Sequence, residues 1–472
     1  MFIQPTKSDF KGTYNVLFGL APPLGPLYLS QVLENAGNHV NLIDFSVEAY
    51  HDHKIISSLE NVDAVGVTVM STAVDKASQV IKLIKEKDPD LPVIIGGPHC
   101  TLSPSDALRE TQADVCIQGD GENVIVDLVR AFHDEEQLAQ IPGIYYQTKK
   151  GIAQGPPFIP IDNLDSIPFP ARHLIKHYLY GRAYNPSIQA GEFTSILTSR
   201  GCPFNCKFCS RKAISLNRYR TRSSQNIIEE LQLIHEQGYK YLGIMDDSAL
   251  HNKKQAHEIF DALSKEQFNF KIYITASRAD SADPELYRKM RKAGVVSIQF
   301  GLESGSQKIL DYYNKKTTVH DLRQAVIQSH EAGFFTSGTF VLGAPFETKK
   351  DFQRTLKFAQ SLPLDSASFL PLRYRSHTDL WMDAVKEGYI DPKEYEIYAD
   401  SARHLGMYSK KELLKICERS QILFYARPKY FKNLIQKSLK NNDYGLLKML
   451  LTIFASSMKD KMTLVRTKRE AM

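Results

Sequence analysis

The chain has 472 residues, 43% hydrophobic and 24% charged, a balance that excludes a disordered or fibrous protein and calls for two or three globular domains. No uncharged apolar run approaches the ~20 residues of a membrane-spanning helix. Met1–Thr6 lacks the basic region and apolar core of a secretory signal, so a cytoplasmic location is the default expectation. The net charge is +6, and Phe431–Met472 hold nine Lys or Arg against three Asp or Glu. The basicity therefore belongs to a tail, whereas a nucleic-acid enzyme carries a broader basic surface.

In chain order, strands are predicted at Tyr14–Leu20, His39–Asp44, Ala64–Met70, Pro92–Gly96 and Val115–Gln118, with helices at Gly25–Ala36 and Thr72–Lys85. This alternation predicts βαβ units around a buried parallel sheet, which binds ligands beyond the carboxyl ends of its strands. Between 137 and 190, Pro142, Pro156, Pro157, Pro160, Pro168, Pro170 and Pro186 break any long element. That stretch reads as an ordered linker with a hairpin around Ile144–Ile152. From Thr194 the rhythm resumes. Strands are predicted at Thr194–Thr198, Tyr241–Met245, Lys271–Ser277, Ser297–Phe300, Gly338–Leu342 and Ser366–Leu372. Amphipathic helices lie between them, at Ser224–Gln237, Lys254–Ser264, Pro284–Ala293, Ser306–Tyr312, Val319–Ala332 and Thr348–Ser361. Six βα units predict a barrel or most of one, with chemistry at the carboxyl ends of its strands. After about Trp381 the chain reads as helical.

Six cysteines are too few for a disulfide scaffold of this length. Three of them, Cys202, Cys206 and Cys209, stand at C-x3-C-x2-C spacing in a loop just after a strand. Three soft ligands suit an iron–sulfur cluster with one open coordination site. A structural zinc site closes with four ligands, and no further Cys or His follows at a matching short spacing.

With Phe208 before the third cysteine, this motif resembles that of the radical S-adenosylmethionine (SAM) superfamily. Further motifs of that family follow in order: Met245-Asp246-Asp247-Ser248, Ser277-Arg278, Gly301-Leu302-Glu303-Ser304-Gly305-Ser306 with Lys315-Lys316-Thr317, and Gly343-Ala344-Pro345-Phe346-Glu347-Thr348. The resemblance runs to about Gly388. It implies a 4Fe-4S cluster on Cys202, Cys206 and Cys209, with SAM contacted by Phe208, Asp246, Asp247, Arg278 and Glu303. Charged residues at strand ends are also ordinary ion-pair groups, and that alternative stands for each of these four. The family's mechanism is chelation of SAM by the open iron and reductive cleavage to a 5′-deoxyadenosyl radical, which abstracts hydrogen from substrate. It implies an electron donor such as flavodoxin or ferredoxin. No catalytic residue beyond the cluster ligands is assigned.

Four N-terminal loops fall at predicted strand ends: Ala21–Gly25, Thr68–Thr72, Gly96–His99 and Gly119–Glu122. Placed before such a barrel, they resemble the cobalamin-binding domain of the same superfamily. The resemblance assigns cobalamin to Thr68, Ser71, Thr72, Gly96, Gly97, Pro98, His99, Gly119, Asp120, Gly121 and Glu122. No D-x-H-x-x-G occurs, so the lower face of cobalt has no histidine from that motif, and an empty domain remains an alternative. The expected fold is α/β: a Rossmann-like cobalamin-binding domain at 1–136, a linker at 137–190, a radical SAM partial (βα)6 TIM-type barrel at 191–388, and a C-terminal helical region at 389–472.

The chain is similar to class B methylases and to the anaerobic magnesium-protoporphyrin monomethyl ester cyclase. This implies methylation of an unactivated carbon on a small-molecule or lipid-like substrate, with cyclisation, oxygenation or rearrangement as alternatives. A methylthiolating RNA enzyme would add an N-terminal cysteine trio and a β-rich RNA-binding domain; only Cys100 and Cys116 are present, and no nucleic-acid partner is expected. An iron–sulfur or cobalamin carrier would not need the SAM motifs. Arg373 and Arg375 read as surface arginines or as contacts for an acidic substrate group. In the tail, Leu446, Leu447, Met449, Leu450, Leu451, Ile453 and Phe454 fall on one helical face. Two readings stay open there: a helix packed on the barrel, or peripheral contact with an anionic membrane.

Overall fold

The computed structural model describes residues 1–5, 21–182, 184–185, 187–266 and 268–441. The strand expected at Tyr14–Leu20 and the tail helix at 446–454 lie outside the described residues.

The first sheet runs β2-β1-β3-β4-β5-β6-β7, from Phe2–Gln4 (β1), Leu42–Asp44 (β2), Val65–Thr68 (β3), Val93–Gly96 (β4), Val115–Ile117 (β5), Ile144–Thr148 (β6) and Gly151–Gln154 (β7). β1 to β5 are parallel in the doubly wound order 2-1-3-4-5, which leaves a ligand crevice at the carboxyl strand ends. Both faces are covered, as the continuous apolar runs require: Ile94 packs into one layer, Val93 and Ile95 into the other. The Ile144–Ile152 hairpin is present, and it pairs antiparallel with β5. The sheet thus crosses the boundary expected after residue 136, because the hairpin covers an otherwise open edge. The proline-rich stretch beyond it is packed, with Ile161, Ile167, Tyr180 and Ile188 buried.

The second sheet holds six parallel strands in the order β15-β14-β13-β12-β11-β8. They are Phe193–Ile196 (β8), Tyr241–Ile244 (β11), Lys271–Ser277 (β12), Val295–Glu303 (β13), Phe335–Leu342 (β14) and Ser366–Pro371 (β15). A two-stranded ribbon, Ser199–Arg200 (β9) and Arg220–Thr221 (β10), follows β8. The helices begin on the expected signals: Thr318 and Thr348 each form a capping box, and Asp283 caps a helix with Pro284 in its first turn.

An open six-stranded barrel exposes two edges, and side chains satisfy both. On β15, Gln421 Nε2 donates to the Ala367 carbonyl at 2.6 Å and its Oε1 accepts from Phe369 N–H at 3.1 Å. Gln421 belongs to the helix Lys410–Tyr425, which lies against that strand. On β8, Arg172 donates to the Ser195 carbonyl at 2.7 Å and to Thr194 Oγ1 at 3.0 Å. Arg172 also meets Glu230, which Arg222 grips from its other side; all three are buried.

The C-terminal part is not wholly helical. Arg373–Arg375 (β16) and Glu396–Tyr398 (β17) form an antiparallel ribbon. Arg373 and Arg375 both reach Glu396, at 2.9 and 3.1 Å, and this pairing draws Glu396 back to β16. The helices Lys410–Tyr425 and Pro428–Asn441 follow.

Candidate functional site

The cysteine loop hangs from the β9–β10 ribbon, where Arg200 stands opposite Arg220. Gly201 turns the chain off β9 at φ +90°, and a Cβ there would collide with the Arg218 carbonyl oxygen. Only glycine lets the two limbs of the loop close so tightly. Cys202, Cys206 and Cys209 are half-buried free thiols. Cys209 N–H donates to the Cys206 carbonyl, and Lys207 N–H to the Tyr313 carbonyl, both at 3.0 Å. Phe208 meets the Tyr313 ring edge-on at 5.0 Å. Burial pushes the Cys202 and Cys206 thiols up, while Lys315 and Arg278 oppose it at Cys206. Among the described residues no three Cys, His, Asp or Glu side chains are already drawn into a metal-binding cage. The donor set is nonetheless that of a soft-metal cluster: three thiols on one loop, a guanidinium at 3.8 Å from Cys206 Sγ, and no disulfide.

Around the loop stand the strand-end residues. Asp246 faces inward to the chain: its carboxylate accepts from Thr198 N–H at 2.7 Å, Thr198 Oγ1 at 2.5 Å and Ser199 Oγ at 2.6 Å. It thereby locks the turn that leads into the cysteine loop, and burial raises its pKa despite those bonds. Asp247 pairs with Arg211 at 2.8 Å. Arg278 stacks over Phe204 at 3.6 Å, pairs with Asp280 at 2.9 Å and donates to the Lys315 carbonyl at 2.6 Å. Glu303 adopts φ +61°, uncommon outside glycine, and its carboxylate meets Lys315 Nζ at 2.7 Å in a buried pair. A cavity of about 540 Å³ opens beside Phe204 and Arg278, floored by Ser248 and walled by Tyr219 and His251. The Ser248 hydroxyl in it is buried without a partner. A roomy, mostly apolar space beside Phe204 of the cysteine loop, with Arg278, Asp280 and the Ser248 hydroxyl in its lining, fits a ligand with an apolar body and a charged end, such as SAM.

On the N-terminal side, Thr68 ends β3 and Gly96 ends β4, with nothing within 4 Å of a Cβ built on Gly96. Gly97 has φ +109°, and a Cβ there would press the Val69 carbonyl oxygen at 3.1 Å. Pro98 opens the short helix Pro98–Leu102, which touches the helix Arg211–Ile214 just after Cys209. Ser71 and Thr72 are half-buried. His99 is fully buried: Nδ1 lies 3.2 Å from Ser71 Oγ, Nε2 lies 3.3 Å from Glu110, and its ring abuts Tyr395 at 4.6 Å. Asp120 and Glu122 face the β9–β10 ribbon, where Asp120 meets Arg200 at 3.0 Å and Arg220 at 2.5 Å, and Glu122 meets Arg200 at 2.5 Å. Burial works against its ionisation, yet the arginines hold the Asp120 carboxyl below the usual carboxylate range. A Cβ on Gly119 would collide with Phe158, and one on Gly121 would press Leu29 at 3.1 Å. The open floor at Gly96 suits a large flat ligand, whereas the Gly119–Glu122 turn is packed against protein.

Sequence reading missed Lys315 as the partner of Glu303, Tyr395 behind His99, and the role of Arg200 and Arg220. The two arginines flank the cysteines in sequence, a signal that could have pointed to them. Tyr395 carries no such signal.

The profile of the radical SAM superfamily matches residues 196–359, and that of the B12 binding domain matches residues 11–129. An uncharacterized methyltransferase of Pyrococcus horikoshii is 31% identical over 435 residues, covering 91% of this chain and 92% of that protein. An anaerobic magnesium-protoporphyrin IX monomethyl ester cyclase of Cereibacter sphaeroides is 28% identical over 371 residues, covering 74% of this chain and 58% of that one. The fold is shared with the cobalamin-dependent S-adenosylmethionine radical enzyme OxsB with aqua-cobalamin bound, at TM-score 0.72 and 18% identity, covering 95% of this chain and 72% of that chain. A B12-binding sheet joined to a radical SAM barrel defines the class. The chain belongs to the radical SAM superfamily, in its cobalamin-dependent branch: it is an enzyme whose cofactors are a 4Fe-4S cluster, SAM and cobalamin.

Proposed function

We propose that this enzyme methylates an unactivated carbon of a small-molecule substrate. One observation carries the reading: the carboxyl end of β5 is held by ion pairs against the base of the cysteine loop, which brings the B12-matching domain alongside the three cysteines. When bound, the cluster and SAM supply a carbon-centred radical and cobalamin supplies a transferable methyl group. Cys202, Cys206 and Cys209 hold the cluster. Arg278 and Ser248 line the cavity and are assigned to the charged end of SAM; Phe208, Asp247 and Glu303 lie outside its lining and are kept as SAM contacts on the family motifs alone. Asp246 orders the turn that presents the loop. Thr68, Ser71, Thr72 and Gly96–His99 form the floor for the corrin. His99, with both ring nitrogens engaged, orients that floor.

The domain limits expected from sequence, at 136, 190 and 388, are retained as functional units, with the hairpin to Gln154 added to the first. A low-potential donor such as flavodoxin or ferredoxin reduces the cluster. No helix among the described residues is long and apolar enough to cross a membrane; surface contact through the basic tail suits a lipid-like substrate. Anaerobic incubation of host extract with methyl-labelled SAM tests the reading. The expected result is 5′-deoxyadenosine together with a product bearing the label. Deoxyadenosine with an unlabelled product, gained or rearranged, transfers the assignment to the cyclase-type chemistry of the Cereibacter relative.

A further inference from the structure

The Gly119–Glu122 turn and the cysteine loop are joined by a largely buried charge network between the first sheet and the β9–β10 ribbon. Arg200 lies two positions before Cys202, and Arg220 pairs with it across the ribbon, so the two arginines mark the base of the loop 201–219. Both converge on Asp120. Arg200 adds Glu122 at 2.5 Å and lies 5.1 Å from the Tyr28 ring centroid; Arg220 adds the Ile161 carbonyl at 2.6 Å. Ile161 N–H returns to Asp120 Oδ2 at 3.1 Å. The side chains of Arg200, Arg220, Asp120 and Glu122 are between 6% and 16% exposed, where removing one partner strands a buried charge. Every acceptor on Asp120 and Glu122 named here faces protein, and the packing of Gly119 on Phe158 and Gly121 on Leu29 leaves the turn no open side at those glycines.

We propose that Asp120 and Glu122 are positioning residues: through Arg200 and Arg220 they couple cobalamin occupancy of the first sheet to the order of the cysteine loop. The inference rests on the cobalamin-dependent reading above. Its physical basis is shared ordering. A ligand seated on Gly96–His99 steadies the helix Pro98–Leu102, whose Thr101 Oγ1 accepts from Gly119 N–H at 3.2 Å; that helix steadies the turn, and the turn steadies the base of the loop. A cluster then binds a loop already partly ordered. The reverse must hold by the same factor.

The test uses full-length protein, cluster-loaded and cluster-stripped, titrated with hydroxocobalamin and followed by absorbance. Hydrogen exchange is read across 201–219. In the natural protein, cluster loading is expected to tighten hydroxocobalamin binding about tenfold, within the usual range of coupling between sites. Hydroxocobalamin is also expected to slow exchange in 201–219 of the stripped protein. Arg200→Gln, which changes no residue of the N-terminal turn, should bring the affinity ratio close to one and abolish that protection. Asp120→Asn should do the same from the other side, and Arg200→Lys should restore part of both. Exchange in β12 and β13 reports that each variant is folded, and a purely structural role would not move the ratio. A ratio unchanged in Arg200→Gln and Asp120→Asn overturns the proposal, as does a ratio of one in the natural protein. A folded, cluster-loaded protein that takes up no corrinoid overturns the cobalamin reading itself, and the missing corrin absorbance distinguishes that outcome.

Discussion

Glu347 offers a pH test of how the barrel's last turn is built. Its Oε2 accepts from Gly343 N–H at 2.6 Å and from Ala344 N–H at 3.0 Å, while Oε1 is buried without a partner. Burial outweighs the two backbone donors and raises its pKa from 4.5 to about 7. The native state therefore binds the proton more tightly than the unfolded chain. Stability contributed here is fully present below pH 4.5 and is lost as pH rises through about 7. At 1.36 kcal/mol per pKa unit, the loss across that window is about 3 kcal/mol. Glu347→Gln keeps an acceptor for the two N–H groups and removes the titration. Local opening free energies come from hydrogen exchange of Gly343 and Ala344, corrected for intrinsic rates, between pH 4.5 and 8. The natural protein should lose most of the stated amount over that range, and the variant should stay nearly flat. Equal slopes in both proteins would refute the reasoning and place the titration elsewhere.

Two further outcomes follow from the site, and a third tests the membrane reading of the tail sequence. Replacing Cys202, Cys206 and Cys209 together with Ala should abolish iron binding and deoxyadenosine release, measured anaerobically, because Cys100, Cys116 and Cys417 are buried elsewhere. Gly97→Val should lower corrinoid occupancy severalfold by absorbance, since a β-branched residue resists φ +109° and would crowd the Val69 carbonyl; full occupancy would remove Gly97 from the corrin floor. Deleting Tyr444–Met472 should abolish sedimentation with anionic vesicles, and added salt should weaken it in the intact chain. Equal sedimentation with and without the tail would end the membrane assignment.

Much of the architecture was legible because its signals are local. The apolar strands and amphipathic helices of both sheets follow from periodicity within single segments. C-x3-C-x2-C places three ligands within one loop, so no knowledge of distant contacts is needed to recognise it. The same locality set the limits. The β16–β17 ribbon rests on Arg373 and Arg375 finding Glu396 across an intervening helix, and nothing in Glu396–Tyr398 distinguishes a strand from a helical turn. Asp120 and Glu122 stand in a glycine-rich turn after a parallel strand, a setting that reads equally as a ligand loop. Their partners lie 80 and 100 positions away for Asp120, and 78 for Glu122. Glu303 was visible in its motif, but its buried pairing with Lys315 and its left-handed backbone were not. Sequence alone marked three candidate cluster ligands, because soft-metal ligation is written in spacing. Tertiary structure alone decided which carboxylates are buried against arginine or lysine, because burial and pairing of a carboxylate depend on what the fold brings against it.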